Sequence, residues 1–322
     1  MISAQRGLGI VTVMSHRAPM LFGAICLLAC ALPGSDDPRV AISPRIKTPA
    51  VHVDFRLDSD LVLIPVSVTD SRNHAVTGLE RDAFRVFENQ TEQQVVQFAR
   101  EDAPISVGIV FDSSNSMTGK LGKSREAMNQ FLRFANPEDE FFLVEFSSRP
   151  RLTVPFTSDI GEIQNRLMLI RSKGTTALLD AVYLAMDCMK RARYQRRALL
   201  VLSDGGDNDS RYTQTEMRNR VRESDLWIYA MGIYDHEESA AGQKLLEGMA
   251  EESGGRHYAV KSLVDLPAVA ARISLELRNQ YILGYKPSDA RHDGKYRRVQ
   301  VKVMEDSHLR VSWRPGYYAT VD

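Results

Sequence analysis

Cysteine is almost missing from this chain: Cys26, Cys30 and Cys188 are the only three in 322 residues. Two of them lie in an apolar N-terminal stretch, so Cys188 stands alone in the body and no intramolecular disulfide can form there. A disulfide-framed fold is excluded. Cys188 sits among Leu184, Met186 and Met189 in a helical pattern, the setting of a buried structural thiol. Net charge is missing too, with 41 Lys+Arg against 41 Asp+Glu. Composition therefore asks for no polyanion surface, and nucleic acid is not an expected partner. The N-terminal apolar stretch, residues 19–34, falls short of the roughly 20 apolar residues that span a bilayer. Internal repeats and low-complexity tracts are absent. The seven histidines are scattered, and "HEESA" at 236–240 lacks the second histidine of a zinc-protease helix.

What is present begins with an export signal. Arg6, His16 and Arg17 precede "PMLFGAICLLACALPG", and Ala29-Cys30-Ala31 offers an A-x-A-like cleavage site before Leu32. "LLAC" is an alternative, a lipoprotein box with Cys30 as the lipidated residue and a tether to the membrane. An uncleaved N-terminal anchor is the third reading. All three take the bulk of the chain out of the cytoplasm, to the periplasm, the cell surface or the medium. We assign residues 1–31 to the signal peptide and the proline-containing 32–50 to a linker.

Alternation of apolar and polar residues marks 51–104 as an N-terminal β segment: "VHVDFRLD", "LVLIPVSVTD", "FRVFENQ" and "QQVVQFARED". From 105 to 281 the rhythm becomes strand, helix, strand. "ISVGIVFD", "FFLVEFSS", "RALLVLSD", "LWIYAMGI" and "GRHYAV" are apolar runs of strand length, while "RLTVPFT" alternates like an edge strand. Leu121, Met128, Phe131, Leu132 and Ala135 share one helical face, as do Leu178, Val182, Ala185 and Met189. Continuous apolar strands between helices predict an α/β fold, a doubly wound, mostly parallel sheet with helices on both faces. "SLVDLPAVAARISLELRNQ" predicts a final helix. Residues 282–322 return to β rhythm, with Asp293-Gly294 in a hairpin-like turn. Neither flanking β segment is large enough for its own core, so the two are expected to form one small β-sandwich.

The chemistry concentrates where the first buried strand ends. In "VGIVFDSSNSMTGK", Asp112, Ser114 and Ser116 follow at alternate positions, so three side-chain oxygens point one way in extended chain. A phosphate loop is a poor fit, because Gly122-Lys123-Ser124 would need a glycine at Met117. An aspartyl nucleophile is a poor fit as well, because Ser114 stands where the general acid belongs. A metal site remains. A parallel sheet brings two further oxygens near: a threonine in "SKGTTALLDAV" (172–182), where a glycine loop leads into a helix, and Asp204 in "RALLVLSDGGDN", expected at the carboxyl end of a buried strand like Asp112.

The D-x-S-x-S of Asp112, Ser114 and Ser116, the threonine after a glycine loop and the aspartate of a "DG" turn resemble the metal-ion-dependent adhesion site of von Willebrand factor A domains. The match assigns Thr176, with Thr175 as the neighbouring alternative. Together with the flanks, the likeness spans roughly Val51 to Ala319 and is similar to exported bacterial proteins described as VWFA-related, notably from acidobacteria. The resemblance implies Mg²⁺, with Mn²⁺ or Ca²⁺ as alternatives, held by Asp112, Ser114, Ser116, Thr176 and Asp204. It further implies a partner protein that supplies an Asp or Glu to the ion, and a ligand rim including Ser113, Asn115, Thr175, Gly205 and Asp207. Loops 147–151 and 206–214 would complete that rim, and the last helix would be a candidate moving element. Asp180 is expected to support the loop. The function expected is an exported, non-enzymatic adhesion or protein-binding module. A structural or assembly subunit of an envelope complex is the alternative, and a metal-dependent hydrolase a third.

Overall fold

The computed structural model describes residues 61–100, 103–234, 240–304 and 308–321. The signal, the linker and the strand expected at "VHVDFRLD" lie outside the described residues. Four strands come first: β1 (Val62–Thr69), β2 (Phe84–Glu88), β3 (Thr91–Gln93) and β4 (Val95–Arg100). The alternating region follows with β5 (Ser106–Asp112), α1 (Leu121–Leu132), β6 (Glu140–Phe146), β7 (Arg151–Thr157), α2 (Ile160–Leu169) and α3 (Leu178–Met189). It continues through β8 (Arg197–Ser203), α4 (Gln214–Glu223), β9 (Trp227–Ile233), α5 (Ala240–Ser253), β10 (His257–Val260) and α6 (Leu266–Arg278). The last strands are β11 (Tyr281–Tyr285), β12 (Tyr296–Val303), β13 (Arg310–Trp313) and β14 (Gly316–Tyr318).

The central sheet runs β10-β9-β8-β5-β6-β7, parallel throughout except for β7, which is antiparallel to β6. β5 and β9 are buried at every position because helices cover both faces. Ile109 and Phe111 share one core with Met128 and Phe131 of α1 and Ile273 of α6. Val110 and Val144 share the opposite core with Val182 and Ala185 of α3 and Leu246 of α5, and Cys188 is buried there. β7 is the edge strand its alternation predicts, and its Pro155 is tolerated because the outer side needs no ladder donor. Since β5, β6, β8 and β9 point the same way, the loops after them share one end of the sheet.

The flanking strands build two antiparallel sheets, β13-β1-β11-β4 and β14-β12-β2-β3. Each mixes strands from before and after the α/β region: β1 pairs β11, and β12 pairs β2. Ile64, Val66, Phe84, Val86, Leu283 and Val301 fill one core between them, so neither segment folds on its own surface alone. The expected sandwich is therefore observed. Within it, "LRVSWRPGYYA" is two strands rather than one. Pro315 lacks an N–H, its carbonyl accepts from Val299 N (2.8 Å), and the chain passes from the first sheet at β13 to the second at β14. Tyr281, which the sequence reading placed in the α/β segment, opens β11. Asn89 and Gln90, both at positive φ, form the two-residue hairpin between β2 and β3.

Candidate metal centre

β5 delivers Asp112 to the end of the sheet with 0% of its surface exposed. Oδ1 accepts from Ser114 N (2.8 Å), and Oδ2 accepts from the Ser203 hydroxyl (2.6 Å) at the end of β8. Neither bond brings a positive charge. Burial pushes the carboxyl up to about 6; the serine hydrogen bonds oppose that rise, and the neighbouring Asp204 charge adds to it. Beyond Asp112 the chain makes a short 3-10 turn, Asn115–Met117, anchored by the fully buried Met117. Ser114 Oγ and Ser116 Oγ come to 3.0 Å across this turn; the two hydroxyls meet because the chain turns, not because it stays extended as the alternate spacing suggests.

The second contribution comes from β8. Ser203 Oγ, while donating to Asp112, accepts from Gly205 N (3.0 Å), which turns the chain sharply after Asp204. Gly205 has φ +79°, and a Cβ there would lie 2.5 Å from Gly242 O, so only glycine makes this turn. Asp204 Oδ1 accepts from Gly206 N (3.3 Å). Its Oδ2 lies 3.6 Å from Lys120 Nζ, both side chains being about a tenth exposed (10% and 11%).

The third contribution is the loop between α2 and α3. Lys173 N donates to Ser113 O (2.8 Å), Asn115 N to Gly174 O (3.0 Å), and Ala177 N to Ser147 O (2.8 Å). Gly174, at φ +78°, allows this approach, since a Cβ would sit 2.5 Å from Ser148 Oγ. The two threonines then part company. Thr175 is exposed; its hydroxyl donates to Asp209 (2.5 Å) and lies 2.7 Å from Ser148 Oγ. Thr176 is buried; its amide donates to Asn208 Oδ1 (2.9 Å), and its carbonyl accepts from Asn208 N and Asp209 N. Thr175 is thus engaged by Ser148 and Asp209, whereas Thr176 is the buried one of the two.

Of the residues expected on the ligand rim, Asn115 and Thr175 are exposed, but three need correction. Ser113 is buried, and its hydroxyl donates to Phe146 O (2.9 Å), because it points to the β6 side of the sheet. Gly205 is buried against Gly242. Asp207 caps α3, its Oδ1 accepting from Leu178 N (2.9 Å) and Ser210 Oγ (2.5 Å), and burial raises its pKa. Asp180 supports the loop by accepting from Arg211 N (2.9 Å), Tyr212 N (3.2 Å) and Arg211 Nε (3.0 Å). Lys120 is the site residue that sequence reasoning missed. Its signal was the "TGK" following the serines, passed over because only Gly122-Lys123-Ser124 was weighed as a phosphate loop.

Among the described residues no three His, Cys, Asp or Glu side chains cluster as a metal site. The five residues expected as ligands would instead supply two carboxylates and three hydroxyls, an all-oxygen set of the kind that suits a hard cation such as Mg²⁺. Among the described residues Asp112 is hydrogen-bonded by a neutral amide and a neutral hydroxyl, and a buried carboxylate so placed is relieved by a cation beside it. The residues fit the ion.

A doubly wound α/β domain with Asp112, a pair of serine hydroxyls and Asp204 at the strand carboxyl ends, accompanied by antiparallel sheets, defines the class. Residues 107–206 match the family model of the von Willebrand factor type A domain. It is 28% identical over 181 residues to the inter-alpha-trypsin inhibitor heavy chain 4 of Mus musculus, covering 50% of this chain and 19% of that one. It is 26% identical over 156 residues to an uncharacterized protein of Borreliella burgdorferi, covering 45% of this chain and 46% of that protein. The chain thus spans about a fifth of the length of the inhibitor heavy chain it matches. The solved von Willebrand factor type A protein from Catenulispora acidiphila shares the fold, with a TM-score of 0.50 at 12% identity over 81% of this chain and 73% of that one.

Proposed function

We propose that this protein is an exported, metal-dependent protein-binding module. Von Willebrand factor A domains typically mediate protein–protein interaction. The observation that carries the metal-dependent form is Asp112: a fully buried carboxylate at a strand end, beside paired serine hydroxyls and Asp204. Asp112, Ser114, Ser116, Thr176 and Asp204 would hold Mg²⁺, directly or through water, and the bound ion would offer an electrophilic position to a carboxylate of the partner. Asp112 is oriented by Ser114 N and Ser203 Oγ, and Asp204 is placed by the Gly205 turn. Asn115 and Ser116 stand exposed at the mouth, which suits docking from outside. The acids beside the pocket, Asp180 and Asp207, are committed to backbone amides, so we assign no general base and no catalytic step.

Export rests on the N-terminal sequence. Among the described residues no helix is long and apolar enough to cross a membrane. Calorimetric titration of Mg²⁺ and Mn²⁺ into the wild-type chain and Asp112→Ala tests the proposal. One ion bound by the wild type and none by the variant supports it. No binding by either at millimolar metal would move a structural or assembly role to the front.

A further inference from the structure

We propose that the face around Asp112 receives an acidic polypeptide segment carrying several carboxylates, rather than one acidic side chain; this rests on the protein-binding reading above. The whole chain has no net charge, yet Arg149, Arg171 and Lys173 are exposed beside the Asp112 turn and make no ion pair among the described residues. Hydrogen bonds fix their placement. Arg149 follows Ser147 and Ser148, which accept from Ala177 N and Thr175 N. Lys173 N donates to Ser113 O, and Ser172, between the two cations, has its hydroxyl 3.0 Å from that of Thr118. The three cations therefore border the Ser113–Thr118 turn on its β6 side. Beyond the pocket, Arg211 is 84% exposed but its charge is paired with Asp180, so it does not add to the three cations.

Stacked cations around a site of this kind attract carboxylates weakly one by one and usefully together, with strong salt dependence. Polypeptide is favoured over other polyanions by what lies next to the collar. Met168 and Leu169 at the end of α2 are 65% and 69% exposed, directly ahead of Ile170 and Arg171. Nucleic acid or a sulfated glycan has charge for the collar but little use for a thioether and a leucine. A chain of acidic residues interleaved with apolar ones uses both.

The test measures fluorescence anisotropy of a labelled peptide of about ten residues alternating Glu and Leu, in Mg²⁺ and in chelator. It is added to the wild-type chain and to the triple variant Arg149→Glu/Arg171→Glu/Lys173→Glu, whose fold is checked by its melting temperature. The expected result is binding by the wild type that weakens at least tenfold in the triple variant, with Mg²⁺ calorimetry unchanged. A peptide retaining a single Glu should bind at least tenfold more weakly than the full one. Equal binding by the triple variant, by the single-Glu peptide or by an oligothymidylate of the same length overturns the proposal, as does no binding by the wild type. Failure of the metal reading looks different: Mg²⁺ calorimetry is then silent in the wild type, and chelator leaves peptide binding unchanged.

Discussion

A carboxylate held by a serine amide and a serine hydroxyl, with burial lifting its pKa to about 6, behaves oppositely towards folding and towards metal. The folded value stands above the ordinary 3.8, so the ionised form is the disfavoured one. Its contribution to metal-free stability is fully present below pH 3.8 and lost as pH rises through about 6. A displacement of about two pH units corresponds to roughly 3 kcal/mol. Metal affinity runs the other way and falls as pH drops through about 6, because the proton competes for the same oxygen. In chelator, Asp112→Asn should therefore melt above wild type near neutral pH and converge with it in acid. The same variant should bind no Mg²⁺; a gap that persists in acid would mean that burial of the charge is not the cause. Lys120 supplies a second residue-level expectation. Its ammonium, 3.6 Å from Asp204, opposes a cation at the pocket, so Lys120→Met should tighten Mg²⁺ roughly tenfold, the size of about 1.4 kcal/mol. Weaker binding in that calorimetry would instead make Lys120 a positioning residue for Asp204. The period-two spacing of Asp112, Ser114 and Ser116 was legible because a buried strand ends there. The directions of the Ser113 and Asp207 hydrogen bonds were not, since they depend on which neighbouring loop arrives.

Helix α6 was a candidate moving element by resemblance, and its buried polar contacts argue against easy movement. Glu276, almost wholly buried, accepts from Ser67 Oγ (2.9 Å), Tyr229 OH (3.2 Å), Arg256 (3.1 Å) and Tyr258 OH. Arg256, just ahead of β10, in turn donates to Thr69 Oγ1 (3.0 Å) and Asn73 Oδ1 (2.6 Å), so its ion pair with Glu276 ties α6 to the start of β10 and to the end of β1. At the end of the helix Arg278 pairs with the fully buried Asp139, which also accepts from Ile105 N (3.0 Å). Sliding α6 would separate buried charges. Removing one partner of such a pair costs about 3–5 kcal/mol, so Glu276→Ala should lower the unfolding free energy measured by urea titration by about that amount. A loss under about 1 kcal/mol would show the network to be solvated and α6 free to shift. The helix itself was legible from its apolar face. Glu276 was not, because its partners lie 20 residues back at Arg256 and 209 back at Ser67, and no local pattern encodes that distance.

At the scale of the molecule, the α/β region is an insertion whose entry and exit are clamped by one side chain. Arg196 donates to Ala103 O (2.6 Å), where the chain comes in, and to Leu277 O (2.5 Å), where it prepares to leave. The layered order was readable because hydrophobic rhythm is local and changes from period two to strand–helix alternation near residue 105 and back near 281. The interleaving of early and late strands was inferred only from each flank being too small alone, and the register, such as Val66 opposite Tyr281, was beyond reach. The same interleaving makes the sandwich a structural necessity for its insert. An excised fragment of residues 103–280 loses Ser67, Thr69 and Asn73, leaving Glu276 and Arg256 with fewer donors and acceptors and opening them to water. Three lost hydrogen bonds to charged groups at about 1.5–3 kcal/mol each amount to roughly 4.5–9 kcal/mol, or a melting temperature lower by at least about 10 °C for a domain this size. The full chain should melt in one calorimetric transition and the fragment in one cooler transition. Two transitions in the full chain, the cooler matching the fragment, would mean that the sandwich and the α/β domain hold themselves together separately and that the Glu276 network couples nothing.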